Sequence, residues 1–284
     1  MLGFNDAQLK DVHVQPHVTV TGVDAHAHVM AGNIEPVPGS HSKPARDVSG
    51  EEFAGLLRAN DLSHGVLTAP SFLGTDNTLL LSTLAAHPQL RGTVIVDISI
   101  EAEQLQIWGR QGVVGIRLNW TKRDAIPDVN TRAYKQLFNK VRQAGMHVEL
   151  FIEDARMSSV LPSILEQDVP VVIDHFGAPD PNLGIGGPGF KHVLDAVAHR
   201  AAWVKLSAPY RLGDTDPRRY VDALLDAGGA QQLMWGSDFP WISHEHYRGG
   251  IVYRDTLDWL RDWIPDKATR DVVLRDTPAR LFKF

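Results

Sequence analysis

The chain has 284 residues, 43% of them hydrophobic and 22% charged, with a formal net charge of −6 and no cysteine. These values suit an ordinary globular protein with a large core; they exclude disulfides, thiolate chemistry and cysteine-ligated zinc, and argue against nucleic acid as a partner. No apolar run is long enough to span a bilayer, and residues 1–17 lack the charged-then-apolar layout of a signal peptide, so no membrane partner and a cytoplasmic location are expected.

Residues 1–17 read as an N-terminal arm. A first strand follows at about 18–28 and ends in Asp24-Ala25-His26-Ala27-His28. Side chains alternate along a strand, so Asp24, His26 and His28 are expected on one face and Val23, Ala25 and Ala27 on the other. A Pro/Gly/Ser-rich loop at about 30–48 comes directly after the histidines and reads as a lid. Ser49 then caps a helix running to Asn60, with Phe53, Leu56 and Leu57 as its apolar face.

Strands are expected at 65–68, 91–97, 113–119, 147–152, 169–175, 203–207 and 232–238. Helices are expected between them at 77–86, 101–111, 129–144, 157–167, 190–200 and 217–227, then at 251–263 and 266–275. Eight strand–helix alternations in one chain predict an α/β fold, a single-domain (β/α)8 TIM barrel over 18–284. A doubly wound open sheet is the alternative. No Gly-x-Gly-x-x-Gly follows the first strand, and histidines stand where a phosphate loop would be.

In such a barrel the C-terminal strand ends meet at one mouth. His26 and His28 come from strand one, His175 from strand six and Asp238 from strand eight. Gly236 shares a face with Asp238, which predicts an empty space below that carboxylate. Three imidazoles and a carboxylate can bind one divalent metal. Without metal, Asp238 can take a proton from water while the imidazoles polarise a carbonyl. Strand four brings Arg117 and Asn119 to one face; Arg117 either meets an anionic ligand or pairs with Asp24 or Glu149. Arg117, Arg123 and Arg211 together would make a cationic rim for a carboxylate, with Lys122 and Lys205 as weaker candidates. Ser71 and Thr75, after strand two, can add hydroxyl donors.

His26-Ala27-His28, Gly115-Ile116-Arg117-Leu118-Asn119, Asp174-His175-Phe176-Gly177-Ala178, Val204-Lys205-Leu206-Ser207 and Trp235-Gly236-Ser237-Asp238-Phe239-Pro240 occur in the order seen in the amidohydrolase superfamily. From about residue 20 to the end the chain resembles its 2-pyrone-4,6-dicarboxylate lactonase branch, which also holds sugar-acid lactonases and lactone isomerases. The resemblance implies a TIM barrel that hydrolyses a carboxylate-bearing lactone with no metal required. The residue matching the base is Asp238, His26, His28 and His175 would assist at the carbonyl, and Arg117, Arg123 and Arg211 match carboxylate-binding positions. Three positions depart from the pattern. Ala178 stands where the pyrone enzyme has Arg, Phe151 where it has Tyr, and Thr277 where the family has Asn. The first two remove an anion contact and a hydroxyl, and so point away from the pyrone dicarboxylate itself.

The expected activity is ring-opening of a small anionic lactone of pyrone dicarboxylate, muconolactone or sugar-acid type by Asp238-activated water. His26, His28, His175 and Asp238 can still hold one zinc, although Arg117, in place of the lysine that two-metal members use, argues against a second ion. The rivals are a metal-dependent decarboxylase, a lactone isomerase and a non-catalytic carboxylate-binding barrel. Monomer and homo-oligomer are both left open.

Overall fold

A computed structural model of the chain describes residues 19–284, so the expected arm at 1–17 lies outside the described residues. Eight strands follow one another in space as they do in sequence: β1 (Val23–Ala27), β2 (His64–Thr68), β3 (Leu90–Val94), β4 (Val113–Asn119), β5 (His147–Phe151), β6 (Val171–Ile173), β7 (Ala202–Leu206) and β8 (Leu233–Trp235). Every neighbouring pair is parallel, as right-handed strand–helix crossovers require. Helices α1 (Gly50–Ala59), α2 (Thr78–Ala86), α3 (Ala102–Arg110), α4 (Arg132–Gln143), α5 (Asp154–Leu165), α6 (Pro188–Ala198), α7 (Pro217–Gly228) and α8 (Tyr253–Trp263) return the chain after each strand. The fold is a (β/α)8 barrel.

The ring closes just beyond β8. Asp238 N–H donates to the His26 carbonyl at 2.9 Å, and His28 N–H donates to the Phe239 carbonyl at 2.8 Å. Strands six and eight are shorter than their apolar runs suggest, because His175 and Asp238 take left-handed backbone angles, φ 53° and 57°. A strand cannot continue through that conformation, and it is uncommon for residues other than glycine. The two side chains therefore sit on sharp turns at the mouth rather than in the ladder.

One expectation along β1 fails. Its register against β2 slips between Asp24 and Ala27, which inserts one extra residue. Ala25 joins Val23, Val66, Val172, Met234 and Phe282 in a small apolar cluster. Asp24 turns instead to α8, where its carboxylate accepts from Tyr253 Oη at 2.7 Å and from Ser237 N and Oγ at 2.9 and 2.5 Å. Asp24 thus does not share a face with His26 and His28. The expected space beneath Asp238 is also filled, since a Cβ at Gly236 would lie 2.6 Å from the Cβ of His26. The glycine is there to let His26 in.

The loop at 30–48 is pinned at its base by Met30 and Val48, which exchange backbone hydrogen bonds of 3.0 and 2.8 Å, and near its middle by Val37 N–H to the Phe72 carbonyl at 2.9 Å. The last expected helix divides into α9 (Lys267–Asp271), a wide π turn over Val272–Asp276, and α10 (Thr277–Phe282). Pro278, which has no N–H to donate, comes just after the π turn inside this continuous helical run. Thr277 is buried and donates to the Ala230 carbonyl at 3.0 Å, a packing role at the far end from the mouth.

Candidate active site

Asp238 is the centre of the mouth. One carboxylate oxygen, Oδ1, faces three imidazole nitrogens: His26 Nε2 at 3.4 Å, His28 Nε2 at 3.6 Å and His175 Nε2 at 3.9 Å. The other oxygen, Oδ2, accepts from the hydroxyl of Tyr210. All four residues named from the strand ends are therefore brought together. Burial alone would raise the Asp238 pKa, but His175, His28, His26 and the Arg211 guanidinium outweigh it and hold the carboxyl well below its ordinary range. Burial pushes His175 down to about 3, and burial with the Lys205 ammonium holds His26 far below the imidazole range. Asp238 is thus ionised beside neutral imidazoles at His26 and His175. Burial and the Asp238 charge push the Tyr210 phenol well above 10, so it keeps its proton.

The second ring nitrogen of each histidine is engaged behind the site. His28 Nδ1 donates to the Thr68 carbonyl, which can only accept, at 2.7 Å, and this turns Nε2 toward Asp238. His26 Nδ1 lies between an acceptor and a donor, 3.2 Å from Asp174 Oδ1 and 3.1 Å from the Lys205 ammonium. His175 Nδ1 pairs with Ser207 Oγ at 2.8 Å. With the hydroxyl donating, His175 Nε2 carries the proton.

Beneath the histidines lies a buried network of two cations and two acids. Arg117 Nη2 and Nε donate to Asp174 Oδ2 at 2.9 and 3.3 Å, and Nε also stands 3.3 Å from Glu149 Oε1. Lys205 Nζ lies 2.6 Å from Glu149 Oε2, 3.4 Å from Asp174 Oδ1 and 3.1 Å from His26 Nδ1. Burial works against the Asp174 carboxylate, yet Lys205, His26 and Arg117 together hold its pKa well down, whereas burial and the Asp174 charge raise that of Glu149. Of the partners expected for Arg117, Glu149 is present and Asp24 is not; Asp174 is the stronger one.

The pocket above is lined by His28, Arg117, Asn119, Phe151, His175, Arg211 and Asp238, with Ser71, Lys122, His41 and His244 around them. Arg117 and Asn119 show only 4% and 8% of their surface, at the floor. The guanidinium of Arg211 lies over the rings of Phe151 and Tyr210, 5.4 and 5.7 Å from their centres. Arg211 and Lys122 have no carboxylate within salt-bridge distance among the described residues, which leaves both cations for a ligand. Arg123 and Thr75 are not brought in: both are exposed and neither lines the pocket. The residues missed by sequence reasoning are Tyr210, His41 and His244. All three stand on loops, where no periodic pattern marks an inward position. The only signal was their place directly after β1, β7 and β8.

A family model described as Amidohydrolase matches residues 23–284. The chain belongs to the amidohydrolase family. A 4-sulfomuconolactone hydrolase from Hydrogenophaga intermedia is 25% identical to this amidohydrolase over 91% of the chain and 88% of its own length. A 2-pyrone-4,6-dicarboxylate hydrolase from Comamonas testosteroni is 25% identical over 92% of the chain and 89% of its own length. Among solved structures, a Pseudomonas putida protein described as a 2-pyrone-4,6-dicarboxylic acid hydrolase is 35% identical. It covers 94% of this chain and 98% of its own, with a TM-score of 0.86.

The amidohydrolase fold also occurs with bound zinc, in a Burkholderia multivorans protein 20% identical to this chain, TM-score 0.76, a likeness that shows the fold alone. The donor set here fits one such ion. His26, His28 and Asp238 have ligand atoms within 4.8 Å of one another, and the Nδ1 of each imidazole is engaged behind the site, which turns Nε2 toward it. A second set, His26, Asp174 and His175, fits poorly because Arg117 and Lys205 already neutralise Asp174.

Proposed function

We propose that this amidohydrolase hydrolyses a carboxylate-bearing lactone, with Asp238 as the general base. The carrying observation is the single Asp238 oxygen that faces three imidazole nitrogens at the barrel mouth, beside two unpaired cations. The names of the relatives support the substrate class: each is a hydrolase of a lactone that bears acidic groups.

The residues divide the work as follows. His26 Nε2, His28 Nε2 and the Asp238 carboxylate surround the place of the attacking water. Asp238 takes one proton as the water oxygen bonds to the lactone carbonyl carbon. His175 Nε2–H donates to the carbonyl oxygen as it gains negative charge. The ring C–O bond then breaks, and Asp238 returns the proton to the departing oxygen, so that a hydroxy acid leaves. In this reading His26 and His28, both expected at the carbonyl, stand around the water instead, and His175 alone donates to the oxyanion. Arg211 and Lys122 hold the substrate carboxylate, and Phe151 gives the ring an apolar wall. A divalent ion held by His26, His28 and Asp238 would supply Lewis acidity at this same place. We favour direct activation by Asp238, because Lys205 behind His26 and Arg211 across Asp238 oppose one more cation there.

The test is a panel of carboxylated lactones assayed with metal content measured before and after chelation. Turnover that survives with negligible metal is expected. Asp238→Asn should lose nearly all turnover with the fold intact. His175→Ala should lose about 100-fold in kcat, the worth of one oxyanion donor. Stoichiometric zinc with activity lost on chelation would overturn the metal-free route, and carbon dioxide release would replace hydrolysis by decarboxylation. Isomerised lactone with no ring-opened product would assign an isomerase.

A further inference from the structure

The structure assigns Tyr210 as the positioning residue of the general base: its hydroxyl holds Asp238 Oδ2 and so presents Oδ1, with its free lone pairs, to the histidines and the water. Three observations carry this. First, the two oxygens of Asp238 are not equivalent. Oδ1 has the three imidazoles in front of it, whereas Tyr210 is the hydrogen-bond donor that Oδ2 has among the described side chains. Without that donor a carboxylate on a single bond is free to turn, and the base loses its aim. Second, the ring of Tyr210 is clamped. It stacks on His244 with centres 4.5 Å apart, meets Tyr247 edge-on at 5.6 Å and lies under the Arg211 guanidinium. A phenol held this way has one direction for its hydroxyl. Third, packing does not account for the hydroxyl. The ring contacts would be served equally by phenylalanine, and a phenol oxygen taken out of water without a partner costs free energy. Asp238 is what that oxygen is buried for.

The chain reaches this place by a short path. Ser207 at the end of β7 holds His175, Ala208 turns left-handed at φ 54°, and Pro209–Arg211 form one tight turn that carries Tyr210 across to Asp238. One segment thus orients both the proton donor His175 and the base.

The kinetic consequence rests on the proposed hydrolysis; the contact itself does not, and the test separates the two. Tyr210→Phe keeps the ring. It should leave the unfolding midpoint and KM nearly unchanged while kcat falls roughly 10- to 100-fold, the usual cost of losing an outer partner of a reacting group. In the Asp238→Asn background the same change should leave the residual turnover unaltered, because Tyr210 acts through that carboxylate. The contact is read without substrate by proton NMR. A buried phenol–carboxylate proton should appear far downfield in the native protein and vanish in both Tyr210→Phe and Asp238→Asn. Wild-type kcat in Tyr210→Phe, an equal loss in both backgrounds, or no downfield proton in the native protein would each overturn the assignment. If the native protein turns over no lactone, the proposed hydrolysis fails, and the NMR signal alone decides the positioning contact.

Discussion

His147 lies on β5 two residues before Glu149, buried, with no partner for its Nε2 among the described residues. Burial, helped by the charge of Lys205, pushes its pKa down to about 3. The sign of the consequence is fixed by linkage. Above pH 6.5 the ring is neutral in both folded and unfolded chains; as pH falls from 6.5 towards 3, only the unfolded chain gains the proton, so stability is lost. The full loss is on the order of 5 kcal/mol for this one group. Denaturant unfolding between pH 7 and 4 should show that slope, and His147→Leu should make it shallower by about one proton. His26, His28, His175 and Asp238 were legible in the sequence, because strand ends in this architecture converge whatever their separation along the chain. Arg117 was half legible. Its inward direction follows from alternation, but its choice of Asp174 depends on distances across the barrel that no pattern encodes.

Asp24 joins three elements. It accepts from Ser237, just past β8, and from Tyr253 at the start of α8, while His26 N–H, on β1 itself, also donates to it at 3.1 Å. Asp24→Ala would leave several buried donors without an acceptor, at about 1–3 kcal/mol for each group left unpaired. Chemical denaturation should show a loss of about 3 kcal/mol or more. Turnover should fall as well, since the segments carrying His26 and Asp238 would shift against each other. Strict alternation misplaced this residue. One inserted residue reverses every later side chain in a strand, and a bulge carries no composition of its own. The strand and helix sequence itself was readable, because long apolar runs alternate with amphipathic ones. The ends of β6 and β8 were not, because the apolar runs continue into residues whose backbone has already turned.

At the scale of the whole barrel, chemistry and stability occupy opposite ends. The mouth holds left-handed backbone, buried charge and unpaired cations; the floor holds an apolar cluster that Phe282 of α10 helps to close. Phe282→Ala should cost about 3–5 kcal/mol of stability yet leave KM at the mouth within about twofold, a split that thermal unfolding and steady-state kinetics on the same preparation would show.

The seam has a consequence of its own. The first and last strands are joined at the mouth through the peptide groups of His26, His28, Asp238 and Phe239, the same residues or direct neighbours of those that cluster around the Asp238 carboxylate. Completing the circle and bringing Asp238 to its histidines are therefore one event. A half-closed barrel has no half-made site, and a molecule seated across the seam would act as a staple between the two ends of the ring, tightening the whole fold as it binds.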